Sequence, residues 1–245
     1  MIRDFFLSIR YYIEGIAAVR RYSLLHLLWI PIILSGVIGL GVIYFSYSFS
    51  DELGAWLTGW YDFEQGVEIV RMIGQIISGV LLLIMGVFVF RYLILILLSP
   101  FLSYLSQSLN NKLIDDTSQR HLANFNFIQG MLRGVRMALT YGLRELLLLS
   151  LLFFFSFIPI IGWFSPFLII LVEAYYIGVG NIDFALEHYF NYKESNRFIR
   201  KKKGMVLGNG IIGMILLLIP LVGMLLVPVL GVIAATLAVN QAVEA

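Results

Sequence analysis

Long apolar runs alternate with short charged stretches along this chain, and the lengths of the runs give the first reading of its architecture. Residues 24–49 are apolar apart from His26 and several serines, and residues 72–90 carry no charge. An α-helix needs ~20 residues to cross ~30 Å of hydrocarbon, so these runs predict two long transmembrane helices, at 24–49 and 69–98. Two further apolar stretches, 146–182 and 205–240, are each broken near the middle by proline and glycine: Ile158-Pro159-Ile160-Ile161-Gly162 and Ile219-Pro220-Leu221-Val222-Gly223. A second proline follows each, Pro166 and Pro228. Proline removes a backbone donor and glycine costs backbone entropy, so both interrupt helices. Neither turn itself offers Asn, Asp or Ser to water.

The pattern therefore predicts two helical hairpins with buried turns. Their arms run to about 13 and about 20 residues around the first turn and roughly 15 and 16 around the second, mostly short of a full crossing. The reading adopted is two re-entrant, half-spanning hairpins that enter and leave on one side; the alternative is four complete spans with exposed turns. Irregular backbone at membrane depth is tolerated only where protein covers it or where it borders a wet cavity, which points to transport.

The intervening segments look helical and amphipathic. Residues 2–21 place Phe5, Phe6, Ile9, Tyr12, Ile13 and Ile16 on one face with charges opposite, which predicts an interfacial helix over 1–23. Residues 104–144 mix Asn110, Asn111, Asp115, Asp116, Arg120 and Gln129 with spaced apolar residues, predicting cytoplasmic amphipathic helices broken near Asp115-Ser118. Ser99-Pro100 reads as a kink or a helix restart. Residues 50–70 carry Asp51, Glu52, Asp62, Glu64 and Glu68 and no Lys or Arg, whereas basic residues crowd 1–21, 112–144 and 193–203. Excess Lys and Arg mark cytoplasmic loops. The amino terminus is thereby predicted to be cytoplasmic and the acidic loop external. Trp56, Trp60 and Tyr61 in that loop fit either an aromatic interface belt or local packing.

Composition narrows the class. With 60% hydrophobic and 13% charged residues in 245, and a mean hydropathy of +0.91, the chain holds more apolar surface than one water-soluble core needs. It reads as a single all-α, polytopic membrane domain over 1–245. Cysteine is absent, which excludes disulfides and thiolate metal sites. Charges scattered through residues 1–23 argue against a cleavable signal peptide. The three histidines, His26, His121 and His188, are dispersed, and no phosphate-binding glycine loop or serine-nucleophile motif occurs. Nothing asks for an enzyme, a cofactor or a metal.

Several residues stand out against this apolar background. Arg20, Arg21, Ser23 and His26 sit where the first long helix meets the cytoplasmic interface, and a small anion wants such charge-assisted donors. The same arginines also serve as positive-inside anchors. Glu173 is the only charge inside the first hairpin, a costly position unless it is paired or wet. It is a gating candidate together with Pro159, Gly162, Pro220 and Gly223 at the hairpin tips. Asp183 reads either as a helix cap or as an ion-pair partner of Arg197 and the basic run to Lys203. That run suits anionic lipid headgroups better than nucleic acid.

In this order the landmarks resemble the CysZ-type sulfate permeases and the wider etoposide-induced protein 2.4 family. The resemblance rests on Gly15 sixteen residues before Pro31, on Leu98-Ser99-Pro100-Phe101-Leu102, on the two Pro-x-x-Gly hairpins, and on Asn181-Ile182-Asp183-Phe184 followed by the basic stretch from Arg197 to Lys203. It implies two long transmembrane helices with half-penetrating hairpins, a homo-oligomer in a bacterial inner membrane, and passage of a small oxyanion, sulfate above all, into sulfur assimilation. In the permeases a Gly-hydrophobic-Arg segment precedes the first helix's proline by eight residues; here Ser23, Leu24 and Leu25 stand there, with Arg20 and Arg21 one turn earlier. The other function to weigh is a non-transporting membrane scaffold that shapes or organises the bilayer through lipid contacts.

Overall fold

The computed structural model describes residues 1–21, 29–58, 67–113, 126–158, 162–219 and 222–244, and all their regular structure is helical. The elements are α1 (Ile2–Arg21), α2 (Trp29–Thr58), α3 (Val67–Leu113), α4 (Phe127–Met137), a π-turn (Ala138–Gly142), α5 (Leu143–Phe155), α6 (Ser165–Leu186), α7 (Tyr192–Lys201), α8 (Lys203–Leu217) and α9 (Val222–Glu244). Among the described residues, three stretches are long and apolar enough to cross a membrane: Phe127–Phe155, Ser165–Leu186 and Leu226–Val243. Gly36–Phe49 within α2 and α8 are shorter apolar helices.

The chain forms two compact units, Ile32–Ile94 and the pair Met1–Pro31 with Leu95–Ala245. In the first, α2 carries stacked Phe45 and Phe49 rings, 4.2 Å apart. Within its part of α3, Ser78 Oγ donates to the Gln75 carbonyl at 2.9 Å.

The second unit is organised around α9, whose face from Val229 through Ile233 to Val239 is almost wholly buried. Helices α1, α6 and α8 pack on it, and α1 and α6 each pack on α8. Small residues make this possible, since α6 and α8 touch backbone to backbone. A Cβ on Gly178 would lie 1.9 Å from the Val206 carbonyl oxygen, and one on Gly210 would lie 1.6 Å from that of Ala174. An amide relay ties α6, α8 and α9: Asn181 Nδ2 donates to Asn209 Oδ1 at 2.8 Å, and Asn209 Nδ2 donates to the Gly231 carbonyl at 3.0 Å. Helix α1 buries Ser8, Tyr11, Tyr12, Gly15, Ala18 and Val19, with Ser8 Oγ donating to the Met205 carbonyl at 2.9 Å. It leaves Phe6, Ile13 and Ile16 exposed. The apolar face read from the sequence is thus divided, with Tyr12 turned to protein and Phe6, Ile13 and Ile16 free to meet lipid.

The hairpin turns repeat one another. Ile158 accepts a hydrogen bond from the Gly162 amide at 2.7 Å and Ile219 one from the Gly223 amide at 2.8 Å, so the residue before each proline closes onto the glycine three positions after it. Both glycines are obligatory for space: an added Cβ would meet the Ser156 carbonyl oxygen at 2.3 Å in the first turn and that of Leu216 at 2.1 Å in the second. Pro159 and Pro220 themselves lie outside the described residues.

Two boundaries differ from the pattern reading. Arg144-Glu145 interrupts the apolar run and looked like the start of a short arm near 146. The helix instead continues back through the π-turn to Phe127, with Glu145 fully buried. The first hairpin therefore has arms of 29 and 22 residues, about 44 and 33 Å by the helical rise. The first arm of the second, α8, has 15 residues, about 22 Å. Pro100 lies inside the 47-residue α3 without ending it. Proline frees the carbonyl four residues earlier, which is that of Ile96, and Ser99 Oγ donates to it at 2.6 Å.

Gly210→Ala sets a methyl group against backbone that no rotamer change relieves, and is expected to destabilise the protein by about 1–3 kcal/mol or more. Gly36→Ala, with nothing within 4 Å of the added Cβ, is expected to leave stability unchanged or raise it by up to about 1 kcal/mol. Thermal unfolding in detergent measures both.

Candidate functional site

Helix α3 carries Ser99, Ser103, Ser106 and Asn110 at steps of four, three and four, a polar stripe along one face of an apolar helix. All four are buried. Helix α4 lies directly against the stripe, because Gly130 and Gly134 present no side chain to it: a Cβ on Gly134 would sit 2.3 Å from Ser99 Cβ, and one on Gly130 would sit 3.3 Å from Ser103 Oγ. Asn126 starts α4, its Oδ1 accepting from the Ile128 amide at 3.0 Å. That cap sets the phase that carries Arg133 inward.

Arg133 meets Asp183 of α6. Its Nε donates to Asp183 Oδ2 at 3.1 Å, while Nη2 reaches Asp183 Oδ1 at 2.9 Å, the Asp183 carbonyl at 2.9 Å and Ser195 Oγ of α7 at 3.0 Å. The aspartate is fully buried and the arginine side chain is 13% exposed. Two-pronged guanidinium–carboxylate geometry is what such a desolvated pair requires. Asn191 presents Ser195 through a capping box. Asn191 Oδ1 accepts from the Glu194 amide at 3.1 Å, and Glu194 Oε2 accepts from the Asn191 amide at 3.1 Å. The Arg136 guanidinium sits 3.7 Å over the Tyr192 ring and holds the start of α7 to α4.

One turn beyond Asp183, Glu187 accepts a hydrogen bond from Ser103 Oγ, and His188 Nε2 lies 3.2 Å from the Ser103 carbonyl. The carbonyl only accepts, so Nε2 carries the proton. Burial raises the Glu187 carboxyl above its ordinary range, opposed by the Ser103 hydrogen bond and by Arg133. Burial also pushes His188 down to about 4, with the Arg133 charge adding to it and the Ser103 carbonyl opposing. Further along the stripe, Thr236 Oγ1 of α9 donates to the Val232 carbonyl at 2.8 Å. Its one hydrogen thus spent, it accepts from Ser106 Oγ at 3.0 Å. Asn110 Oδ1 accepts from the Tyr189 hydroxyl at 2.6 Å and from Asn240 Nδ2 at 2.9 Å. The result is a buried polar seam joining α3, α4, α6, α7 and α9 in which the guanidinium is committed to a carboxylate.

Among the described residues, those singled out from the sequence fall elsewhere, with one exception. Asp183 is in the seam, and it corrects the expected pairing: its partner is Arg133, while Arg197 is exposed and Ser195, two residues earlier, is the α7 side chain turned inward. Asp183 lies within α6, so it does not cap a following helix. Arg20 and Arg21 are exposed in the last turn of α1. Ser23 and His26 lie outside the described residues. Glu173 is half-buried on α6, just before the helix becomes buried on all sides from Ile177 to Leu186. Gly162 is half-buried and Gly223 buried at the two turns. Arg133, Ser103, Glu187 and Ser195 were not singled out, although the α3 stripe and the four-residue step from Asp183 to Glu187 are legible signals.

Apolar helices of membrane-crossing length, knit by a buried polar seam, define a multi-pass α-helical membrane protein. Residues 11–228 match the family described as sulfate transporter CysZ/etoposide-induced protein 2.4. The chain belongs to that family, which is of transporter type. No match is found among curated proteins.

Arg133→Met or Asp183→Leu leaves one buried charge without its partner and is expected to cost about 3–5 kcal/mol, much of which the double substitution restores; a double-mutant cycle of unfolding in detergent measures this. His188 is neutral in the fold and protonates more readily unfolded, so its contribution is complete above about pH 6.5 and lost as pH falls toward about 4. Glu187 acts in the opposite sense, its contribution fading as pH rises through its raised pKa. Midpoint against pH is expected to flatten on the acid side in His188→Gln, and in Glu187→Gln to lose the decline that accompanies the Glu187 titration as pH rises from its ordinary to its raised pKa.

Proposed function

We propose that this protein is a permease or channel for a small inorganic oxyanion, with sulfate uptake for sulfur assimilation the leading reading. The observation that carries it is the family match over residues 11–228, whose description names a sulfate transporter. It works as a homo-oligomer in a bacterial inner membrane with its amino terminus in the cytoplasm, a topology supported by the placement of basic residues. No nucleotide-binding motif occurs in the sequence, so flux runs down a gradient or is coupled to an ion.

In this reading Arg20 and Arg21, exposed at the end of α1, collect the anion at the inner interface together with Ser23 and His26. The Pro159–Gly162 and Pro220–Gly223 turns form the constriction. A half-spanning second hairpin is favoured by the 15 residues of α8, which fall short of the ~20 required for a crossing. Glu173 gates the path. A charged carboxylate there repels an anion, so its protonation or pairing accompanies passage. The buried seam holds the hairpin bases in register around that path.

Radiolabelled sulfate uptake into proteoliposomes, with phosphate, thiosulfate and chloride as competitors, tests the reading. Saturable, protein-dependent uptake that thiosulfate inhibits more strongly than chloride is expected. Arg20→Ala with Arg21→Ala is expected to lower flux about tenfold, and Glu173→Gln to change it, without loss of membrane insertion. Normal flux in all of these variants removes the residues from the mechanism.

A further inference from the structure

Beside the start of α8 lies a second feature that the permease reading does not use. The first turns of α1 and the first turn of α8 enclose an open cleft of about 250 Å³ lined by Met1, Ile2, Phe5, Phe6, Gly204 and Leu207. Its walls are apolar side chains and a glycine. Helix α1 is seated there through backbone contact: a Cβ on Gly204 would meet the Met1 carbonyl oxygen at 2.1 Å, and one on Gly208 would meet that of Phe5 at 2.5 Å. The cleft's shape is therefore set by the main chain. Ile2 and Phe6 on its rim are 76% and 63% exposed.

The residues that flank the cleft's lining along the chain identify its occupant. Gly204 follows directly on Lys201, Lys202 and Lys203, and Arg200 precedes them; Lys201, Lys203 and Arg200 are exposed and Lys202 is half-buried. Arg3 is exposed on the same turn of α1 as Ile2. The acidic residue of that turn is Asp4, half-buried. The amphipathic α7 ends at these lysines and the apolar α8 begins from them, so hydrocarbon and charge meet at this point along the chain. A hydrocarbon chain fits the walls and a phosphate fits the cations. Together they describe one molecule with both parts and no compensating positive headgroup. We infer that this cleft is a specific site for an anionic glycerophospholipid, one acyl chain between α1 and α8 and the phosphate on the Lys201–Lys203 run.

The inference depends on the membrane location of the protein and not on its substrate. Native mass spectrometry of the full-length protein in detergent tests it, with three probes: phosphatidylglycerol, phosphatidylcholine of the same acyl chains, and glycerol 3-phosphate. Retention of one phosphatidylglycerol per protomer is expected, with neither other probe retained. Replacing Lys201, Lys202 and Lys203 together by Ser is expected to weaken retention at least about tenfold, from the usual contribution of each basic residue at a membrane surface. Leu207→Trp, which fills the cleft, is expected to weaken it while helicity and sulfate uptake stay at wild-type levels. Equal retention of the two phospholipids overturns the anionic assignment. Binding of glycerol 3-phosphate alone overturns the acyl-chain assignment. Undiminished retention in both the triple-serine and the Leu207→Trp proteins overturns the location.

Discussion

A carboxylate with no exposed surface, set into a helix of apolar residues, has to be neutralised by a fixed cation, and the Arg133–Asp183 pair is the constraint on which the second unit's assembly depends. The pair is held from three sides. Asp183 is on α6, Arg133 on α4, and the guanidinium also reaches Ser195 on α7. Desolvating two charges is costly enough that misplacing any one of these helices leaves a charge stranded. The pair therefore acts less as a source of stability than as a specification of which surfaces meet. The hydroxyl stripe of α3 extends the same logic to Glu187 and, through Thr236 and Asn240, to α9.

Around this seam the fold meets a second demand, that backbone polar groups find partners away from water. Ser99 supplies the hydrogen that Pro100 cannot. Asn209 donates to the carbonyl of Gly231, and Asn181 to Asn209. The two hairpin turns close their own bonds onto glycine. Where side chains would separate the helices, glycines remove them, so α6 and α8 approach to backbone contact and α1 lies on α8 through Gly204 and Gly208. The cleft inferred to hold a lipid follows from that close seating, since the same approach that brings α1 onto α8 leaves Ile2 and Phe6 of α1 exposed beside the half-buried Leu207 of α8.

The coarse architecture was legible because run length and proline–glycine position are local properties. The all-helical class and the helical hairpins around 158–162 and 219–223 follow from them, and family membership from the ordered set of short motifs, whereas half-depth insertion does not. The buried seam was less legible. That Asp183 pairs with Arg133 and not with the nearer basic run depends on how α4 folds back on α6, fifty residues away. Arg144-Glu145 reads as the boundary before the apolar run from 146 because charge usually means exposure, yet Glu145 is buried and the helix continues through it. Ser99-Pro100 reads as a kink or a helix restart, and that α3 continues through it rests on a side-chain event, the Ser99 hydroxyl donating to the Ile96 carbonyl. Glu173, Arg20 and Arg21 are placed by the structure without being joined to one another. Ser23, His26, Pro159 and Pro220 lie outside the described residues.

Transport of an oxyanion and organisation of the bilayer make opposite demands on the same vesicles, so measuring both on one sample is the most direct test. Proteoliposomes are assayed for labelled sulfate influx and imaged for shape by cryo-electron microscopy. The account predicts saturable influx above empty vesicles with no change in their outline. Deformed or fused vesicles without influx, from protein shown to be folded, contradict it.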